Sequence, residues 1–203
     1  MKKEYFLIIA MIVLLLILLI SGIYPFDRMT WVLEVMPVII VIPLLCISYK
    51  KFPLTPLLYT LIFIHAIVLM LGGAYSYARV PLGFYIADWF DLSRNPYDKI
   101  GHFMQGFVPA IVAREILIRK HILAKGKMLA FIVICIVLAI SASYELIEWA
   151  AAICLGQDAE EFLGTQGDVW DTQSDMFFAL IGAITALFIL SKWHDQQIQK
   201  IIQ

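Results

Sequence analysis

Apolar residues in this chain come in long unbroken runs. They follow neither the 3.6-residue stripe of a soluble helix nor the alternation of a half-buried strand. Six runs approach the roughly 20 residues needed to cross a hydrocarbon core of about 30 Å. They predict transmembrane helices over residues 5–23, 31–49, 54–73, 96–118, 128–155 and 172–193. The second run contains Pro37 and Pro43, which a membrane helix tolerates when its neighbours re-satisfy the freed backbone groups. The fourth follows "SRNPYDK", where Asn95 suits an N-cap and Pro96 a first helical position; Pro109 marks a potential kink. The first run has the basic start of a signal peptide, but it is long and no small-residue cleavage site follows. It is read as a retained span. The expected fold class is all-α: one integral-membrane domain over residues 1–203, a bundle of six helices.

Composition agrees. Of 203 residues, 62% are hydrophobic and 15% charged, against about 45–50% and about 25% in a soluble domain. The net charge of −1 provides no basic field for a nucleic acid. Cys46, Cys135 and Cys154 are widely separated, form no CxxC pair, and are read as packing thiols. The basic residues sort by side. Lys2, Lys3, Lys50, Lys51, Arg119, Lys120, Lys125, Lys127, Lys192 and Lys200 fall at one set of helix ends, against Arg28, Arg79, Arg94 and Lys99 at the other. The fifth loop, "GQDAEEFLGTQGDVWD", has neither Lys nor Arg. The positive-inside rule then puts both termini in the cytoplasm, and all five tryptophans fall near predicted interfaces.

With this orientation, the polar residues share a depth. Asp98 and His102, four apart, occupy one face of span four near its outer end, with Gln105 one turn on. Glu145 and Glu148 lie three apart near the outer end of span five. Asp168, Asp171 and Asp175 precede or open span six, and if helix has begun by Asp168 they fall within an arc of roughly 60°. A charge near the bilayer centre costs at least about 2.5–3.5 kcal/mol, so such groups normally face the bundle interior and pair. One water-accessible pocket opening outward is the economical arrangement. Each residue also has a blander reading. Asp168 and Asp171 suit a solvated loop and helix cap, Glu145 and Glu148 a helix end above the lipid, and Asp98 with His102 a local ion pair. His65 reads as a hydrogen-bonded packing residue, Glu34 as interfacial, and Arg114 with Glu115 as a snorkelling pair outside the site.

Carboxylates with an imidazole suit a divalent metal ion, the one cofactor this pattern suggests. Candidate metal ligands are Glu145, Glu148, Asp168, Asp171 and Asp175. Asp98 orienting His102 also suits general acid–base catalysis. No G-x-S-x-G or Walker-type loop occurs. The expected partner is membrane lipid, with a polar head group of lipid or envelope precursor as a candidate ligand. A proton- or cation-coupled transporter and a purely structural membrane protein are the alternatives. Small residues at Ala179, Gly182, Ala183 and Ala186 let helices approach closely, and suggest that spans five and six are neighbours.

Three phrases, "YDKIGHFMQGFVPAIVAREILIR", "SYELIEWAAAICLG" and "EFLGTQGDVWDTQSDMFFALIGA", closely resemble the YjdF-type family of bacterial inner-membrane proteins. The resemblance runs from about Tyr75 to Ala186 and implies location and topology, but no reaction. A fainter similarity is to VanZ-like membrane proteins. It lies in Asp98-Lys99…His102, in Glu145, and in the aspartates opening the last helix with Gly182 below.

Overall fold

The computed structural model describes residues 2–155 and 165–202, so the first part of the fifth loop, 156–164, lies outside the described residues. Among the described residues there are seven α-helices and no strand: α1 (Lys2–Ser21), α2 (Arg28–Ser48), α3 (Pro56–Tyr75), α4 (Pro81–Phe90), α5 (Tyr97–Arg119), α6 (Lys127–Leu155) and α7 (Asp171–Ile202). A 3-10 turn, Tyr77–Arg79, lies between α3 and α4. Five helices, α1, α2, α3, α6 and α7, are long and apolar enough to cross a membrane. They coincide with five of the six runs. The fourth run forms α5, which has 23 residues but carries Asp98, Lys99, Arg114, Glu115 and Arg119.

Two elements depart from the expected pattern. Helix α4 was not anticipated, because ten residues are too few to span. Pro81 starts it and Asp91, in the left-handed region at φ 51°, ends it. Gly83 leaves room for the Asn95 side chain: a Cβ would sit 1.7 Å from Asn95 Oδ1, which would have to move. Leu82, Phe84, Tyr85, Trp89 and Phe90 of α4 are exposed. Helix α7 also outruns its predicted end at Trp193 by nine residues, because its last turns bury His194 and Ile198.

The chain divides into two compact units, residues 1–52 with 62–97, and 53–61 with 98–203. In the first, Leu14, Val35, Val38, Ala66 and Met70 form the core. Asp27 caps α2 by accepting from Thr30 N at 2.7 Å, and this bond holds its carboxyl below the usual carboxylate range. Glu34 is buried on α2. His65 Nε2 is buried with no hydrogen-bond partner among the described residues. The three cysteines are exposed on their helices and do not pack as core thiols.

In the second unit, α6 packs along α7, as the small residues suggested. Helices α5 and α7 also approach each other closely, backbone to backbone. A Cβ on Gly106 would lie 1.8 Å from the Ala179 carbonyl oxygen, and one on Gly182 would lie 2.1 Å from the Phe103 carbonyl oxygen. Two glycines, one on each helix, therefore let the backbones touch, with Ala110, Ala179, Ala183 and Ala186 buried alongside.

Candidate metal centre

The glycine contact sets the register of the site. His102 lies one turn before Gly106 on α5, and Asp175 one turn before Ala179 on α7. The same close approach that joins the backbones therefore brings His102 and Asp175 together. Asn95 fixes the start of α5, its Oδ1 accepting from Tyr97 N at 3.0 Å, and Asp98 follows in the first turn on the face of His102. Helix α6 runs the other way and contributes its late residue Glu145. The beginnings of α5 and α7 and the far half of α6 thus meet at one end of this unit.

Around the imidazole, Nε2 lies 3.5 Å from Asp98 Oδ1 and 3.8 Å from Asp175 Oδ2. One ligand atom from each of Asp98, His102 and Asp175 lies within 4.8 Å of the others. On the opposite edge, Nδ1 is 3.2 Å from Gln105 Oε1 and 3.9 Å from Glu145 Oε1. An amide oxygen only accepts, so Nδ1 carries the proton in that bond. In the neutral ring, Nε2 then presents a lone pair toward two carboxylate oxygens. A charge-assisted hydrogen bond would be about 2.7–2.9 Å long, and both carboxylates stand farther off. Bonds of about 2.0–2.2 Å to a shared ion put ligand atoms roughly 3–3.6 Å apart, against nitrogen–oxygen separations of 3.5 and 3.8 Å here. The centre is also largely buried: His102, Glu145 and Asp175 are 6%, 8% and 2% exposed. Asp175 Oδ1 and Glu145 Oε1 are buried with no hydrogen-bond partner among the described residues. Leaving such a group unsatisfied costs about 1–3 kcal/mol, more when it is charged.

The candidate residues divide accordingly. Asp98, His102 and Asp175 converge, and Glu145 faces the far edge of the imidazole. Asp171 is buried one turn before Asp175, and Glu148, three residues beyond Glu145 on α6, is half-buried. Asp168 turns onto its own backbone, accepting from Trp170 N at 3.0 Å, in an Asx-type turn before α7. Lys99, absent from the candidate set, donates from Nζ to Ser174 Oγ across the α5–α7 seam.

Comparison with known proteins places the chain. The family model described as "Predicted membrane protein (DUF2238)" matches residues 6–196. The chain belongs to this family. It is 60% identical to "Inner membrane protein YjdF" of Escherichia coli (strain K12) over 187 residues, covering 92% of this chain and 90% of that protein. The resemblance thus extends well beyond Tyr75–Ala186 on both sides, while the VanZ-like similarity gains no support. No solved structure matches.

The DUF2238 match also covers a second polar centre, at the other end of the same unit, which the snorkelling reading of Arg114 and Glu115 missed. Both residues are buried, Glu115 completely. Glu115 Oε2 accepts from Thr55 Oγ1 at 2.7 Å and faces His194 Nε2 at 2.8 Å, while Oε1 accepts from Arg119 at 2.6 Å and Thr55 N at 3.1 Å. Arg114 donates to His194 Nδ1 at 3.1 Å and to Asp195 at 2.7 Å. A guanidinium only donates, so His194 Nδ1 is the acceptor and its Nε2–H donates to Glu115. Both oxygens of Glu115 are satisfied, which makes this centre a closed hydrogen-bonded clamp. The signal for it was Glu115–Arg119 at i,i+4, together with a histidine and an acid directly after Trp193.

Proposed function

We propose that this protein is a six-span inner-membrane protein with both termini in the cytoplasm. Its Asp98–His102–Asp175 cluster binds a divalent transition-metal ion in a pocket opening outward. The observation that carries the reading is a buried imidazole nitrogen, His102 Nε2, facing carboxylate oxygens of Asp98 and Asp175 at 3.5 and 3.8 Å, in a site where two further carboxylate oxygens lack hydrogen-bond partners among the described residues. One nitrogen and two or more oxygens favour Mn2+, Fe2+ or Zn2+ over Mg2+ or Ca2+. Gln105 and Glu145 act from the other edge of the ring, fixing the tautomer as outer-shell partners of a metal-bound histidine do.

Support for α5 as the sixth span comes from its course along α7. The two helices meet at His102 and Asp175, at Gly106 and Ala179, and again at Arg114 and His194. Helix α7 is itself apolar enough to span, and the related Escherichia coli protein is named an inner membrane protein. Orientation rests on the distribution of Lys and Arg. A through-going transport path is less well supported. Between Asp175 and His194, the residues α7 buries are Ala179, Gly182, Ala183 and Ala186, none of which relays a proton or an ion.

Titration of the purified full chain with Mn2+ is expected to show one tight ion per chain. His102→Gln and Asp175→Asn should each raise Kd by more than about 100-fold, and Gln105→Leu by about 10–100-fold, the range typical of outer-shell partners. Absence of binding, or binding indifferent to all three changes, would refute the reading. Orientation is tested separately in a cysteine-free background. A membrane-impermeant thiol reagent applied to intact spheroplasts should label Gln166→Cys and leave Lys120→Cys unlabelled until the cells are lysed. The reverse pattern would invert the topology.

A further inference from the structure

We propose that α4 is an interfacial helix. It lies along the outer surface of the bilayer, with Leu82, Tyr85, Ile86 and Trp89 sunk into the boundary between lipid head groups and acyl chains. The choice of leaflet rests on the topology proposed above; the contact with lipid rests on the first compact unit alone.

The level of α4 follows from its tethers. Helices α2 and α3 are each apolar enough to span, and Phe26 N, just before α2, donates to Ala74 O near the end of α3 at 2.9 Å. That bond marks the level at which both spans leave the apolar region. The Arg79 guanidinium lies 4.2 Å from the centroid of the Phe26 ring, so the turn leading into α4 stays at that level. On the far side of α4, the Tyr97 hydroxyl donates to Val68 O at 3.1 Å, about 9 Å back along α3 from Ala74. The excursion is pinned at its base as well, where Asn95 Nδ2 donates to Val80 O at 3.0 Å. Helix α4 therefore begins and ends within reach of the bilayer surface.

Its side chains decide what covers it. The two residues that α4 buries, Gly83 and Ala87, are small and one turn apart, so a narrow stripe seats the helix on its own unit. Leu82, Tyr85, Ile86 and Trp89 share an arc of about 100° elsewhere on the helix, and Asp88 falls outside it. Trp89, Phe90 and Tyr85 are 81%, 70% and 64% exposed. Large apolar side chains this crowded mark an interaction surface. Tyr24 and Phe26, at the same level between α1 and α2, are also exposed, which continues the aromatic surface around the unit. Such a belt is where Tyr and Trp settle in a membrane, ring inward and polar edge outward. The one charged residue on α4 is the acidic Asp88, so apolar burial holds the helix there without attraction to anionic lipid.

The test uses the full chain in phosphatidylcholine nanodiscs, cysteine-free except for one nitroxide-labelled position. The positions are Tyr85→Cys, Trp89→Cys and Asp88→Cys, with Ile12→Cys in the middle of α1 as the hydrocarbon reference. All four residues are exposed, so the labels leave the core intact. Collision with oxygen, which concentrates in lipid, is compared with collision with a nickel chelate, which stays in water. Labels at 85 and 89 are expected about 5–10 Å into the head-group and acyl boundary. Their oxygen-to-nickel ratio should be severalfold above that at 88 and below that at 12. Equal ratios at 85, 88 and 89, as a helix in water gives, would overturn the proposal. So would labels at 85 and 89 that neither reagent reaches, because a second copy or another protein then covers the face.

The leaflet is read separately, with the impermeant thiol reagent on intact spheroplasts. Asp88→Cys and Gln166→Cys should both be labelled. If Gln166→Cys is labelled and Asp88→Cys reacts only after lysis, the outer-leaflet assignment falls and the orientation of the termini stands. If both react only after lysis, the topology and the leaflet fall together, and the depth measurements decide the lipid contact on their own.

Discussion

Gly106→Ala is expected to cost this protein about 3 kcal/mol or more, at the upper end of overpacking effects, and to abolish metal binding with it. The added methyl would lie 1.8 Å from the backbone oxygen of Ala179. No side chain can rotate away to relieve that contact, so the helices must separate. Separation acts one turn away as well, because His102 and Asp175 face each other across the same seam at 3.8 Å. Gly182→Ala should behave alike, since its methyl would meet the Phe103 carbonyl oxygen at 2.1 Å. Unfolding in mixed detergent micelles measures the stability term, and Mn2+ titration measures the site. A Gly106→Ala protein with unaltered stability and unaltered Mn2+ affinity would show that the seam does not set the site.

Glu115→Ala should destabilise the chain by about 3–5 kcal/mol, the range for removing one partner of a buried ion pair. Four donors lose an acceptor together: the Thr55 backbone N–H and hydroxyl, His194 Nε2–H and the Arg119 guanidinium. The burial of Glu115 and His194 is complete, so water does not easily replace the missing carboxylate. Glu115→Gln keeps the shape and two acceptor lone pairs and should cost less. A double-mutant cycle pairing Glu115→Gln with His194→Gln should give a coupling energy near the upper part of the roughly 0.5–3 kcal/mol range for contacting residues. A change below about 0.5 kcal/mol for Glu115→Ala, the level of an ordinary surface substitution, would return the residue to the snorkelling reading.

The fold was largely legible because the membrane imposes a strong pattern. Runs of about 20 apolar residues need no knowledge of tertiary contacts to be recognised, and five of them coincide with helices apolar enough to span. Helix α5 was legible by a different signal, its Asn95 cap. Helix α4 was not, because its ten residues satisfy neither a length rule nor a periodic stripe. The true end of α7 was hidden for a related reason. After Trp193 the chain reads "HDQQIQK", polar enough to pass for a solvated tail. Its helicity depends on His194 finding Glu115 and Arg114 on another helix.

The site divides in the same way. Spacings of four and three put Asp98 with His102, and Asp171 with Asp175, on single faces, and those local relations are visible in one dimension. Which faces oppose each other is not. That depends on Gly106 and Gly182, and only Gly182 was noted as a packing residue. Asp168 illustrates the limit, since an aspartate two residues before a backbone N–H serves a turn as readily as it serves an ion. Arg114 and Glu115 illustrate it from the other side. Burial converts an apparently interfacial pair into the centre of a clamp, and burial is a property of the assembled helices.

The central claim is that His102 Nε2 and the carboxylates of Asp98 and Asp175 share one ion. Pulsed electron paramagnetic resonance of Mn2+ bound to the purified chain tests it most directly, because nitrogen coupling reports imidazole coordination. The expected spectrum carries modulation from one directly bound nitrogen, absent when His102→Gln protein is loaded at saturating Mn2+. Bound Mn2+ without nitrogen coupling, or coupling that survives His102→Gln, would contradict the account.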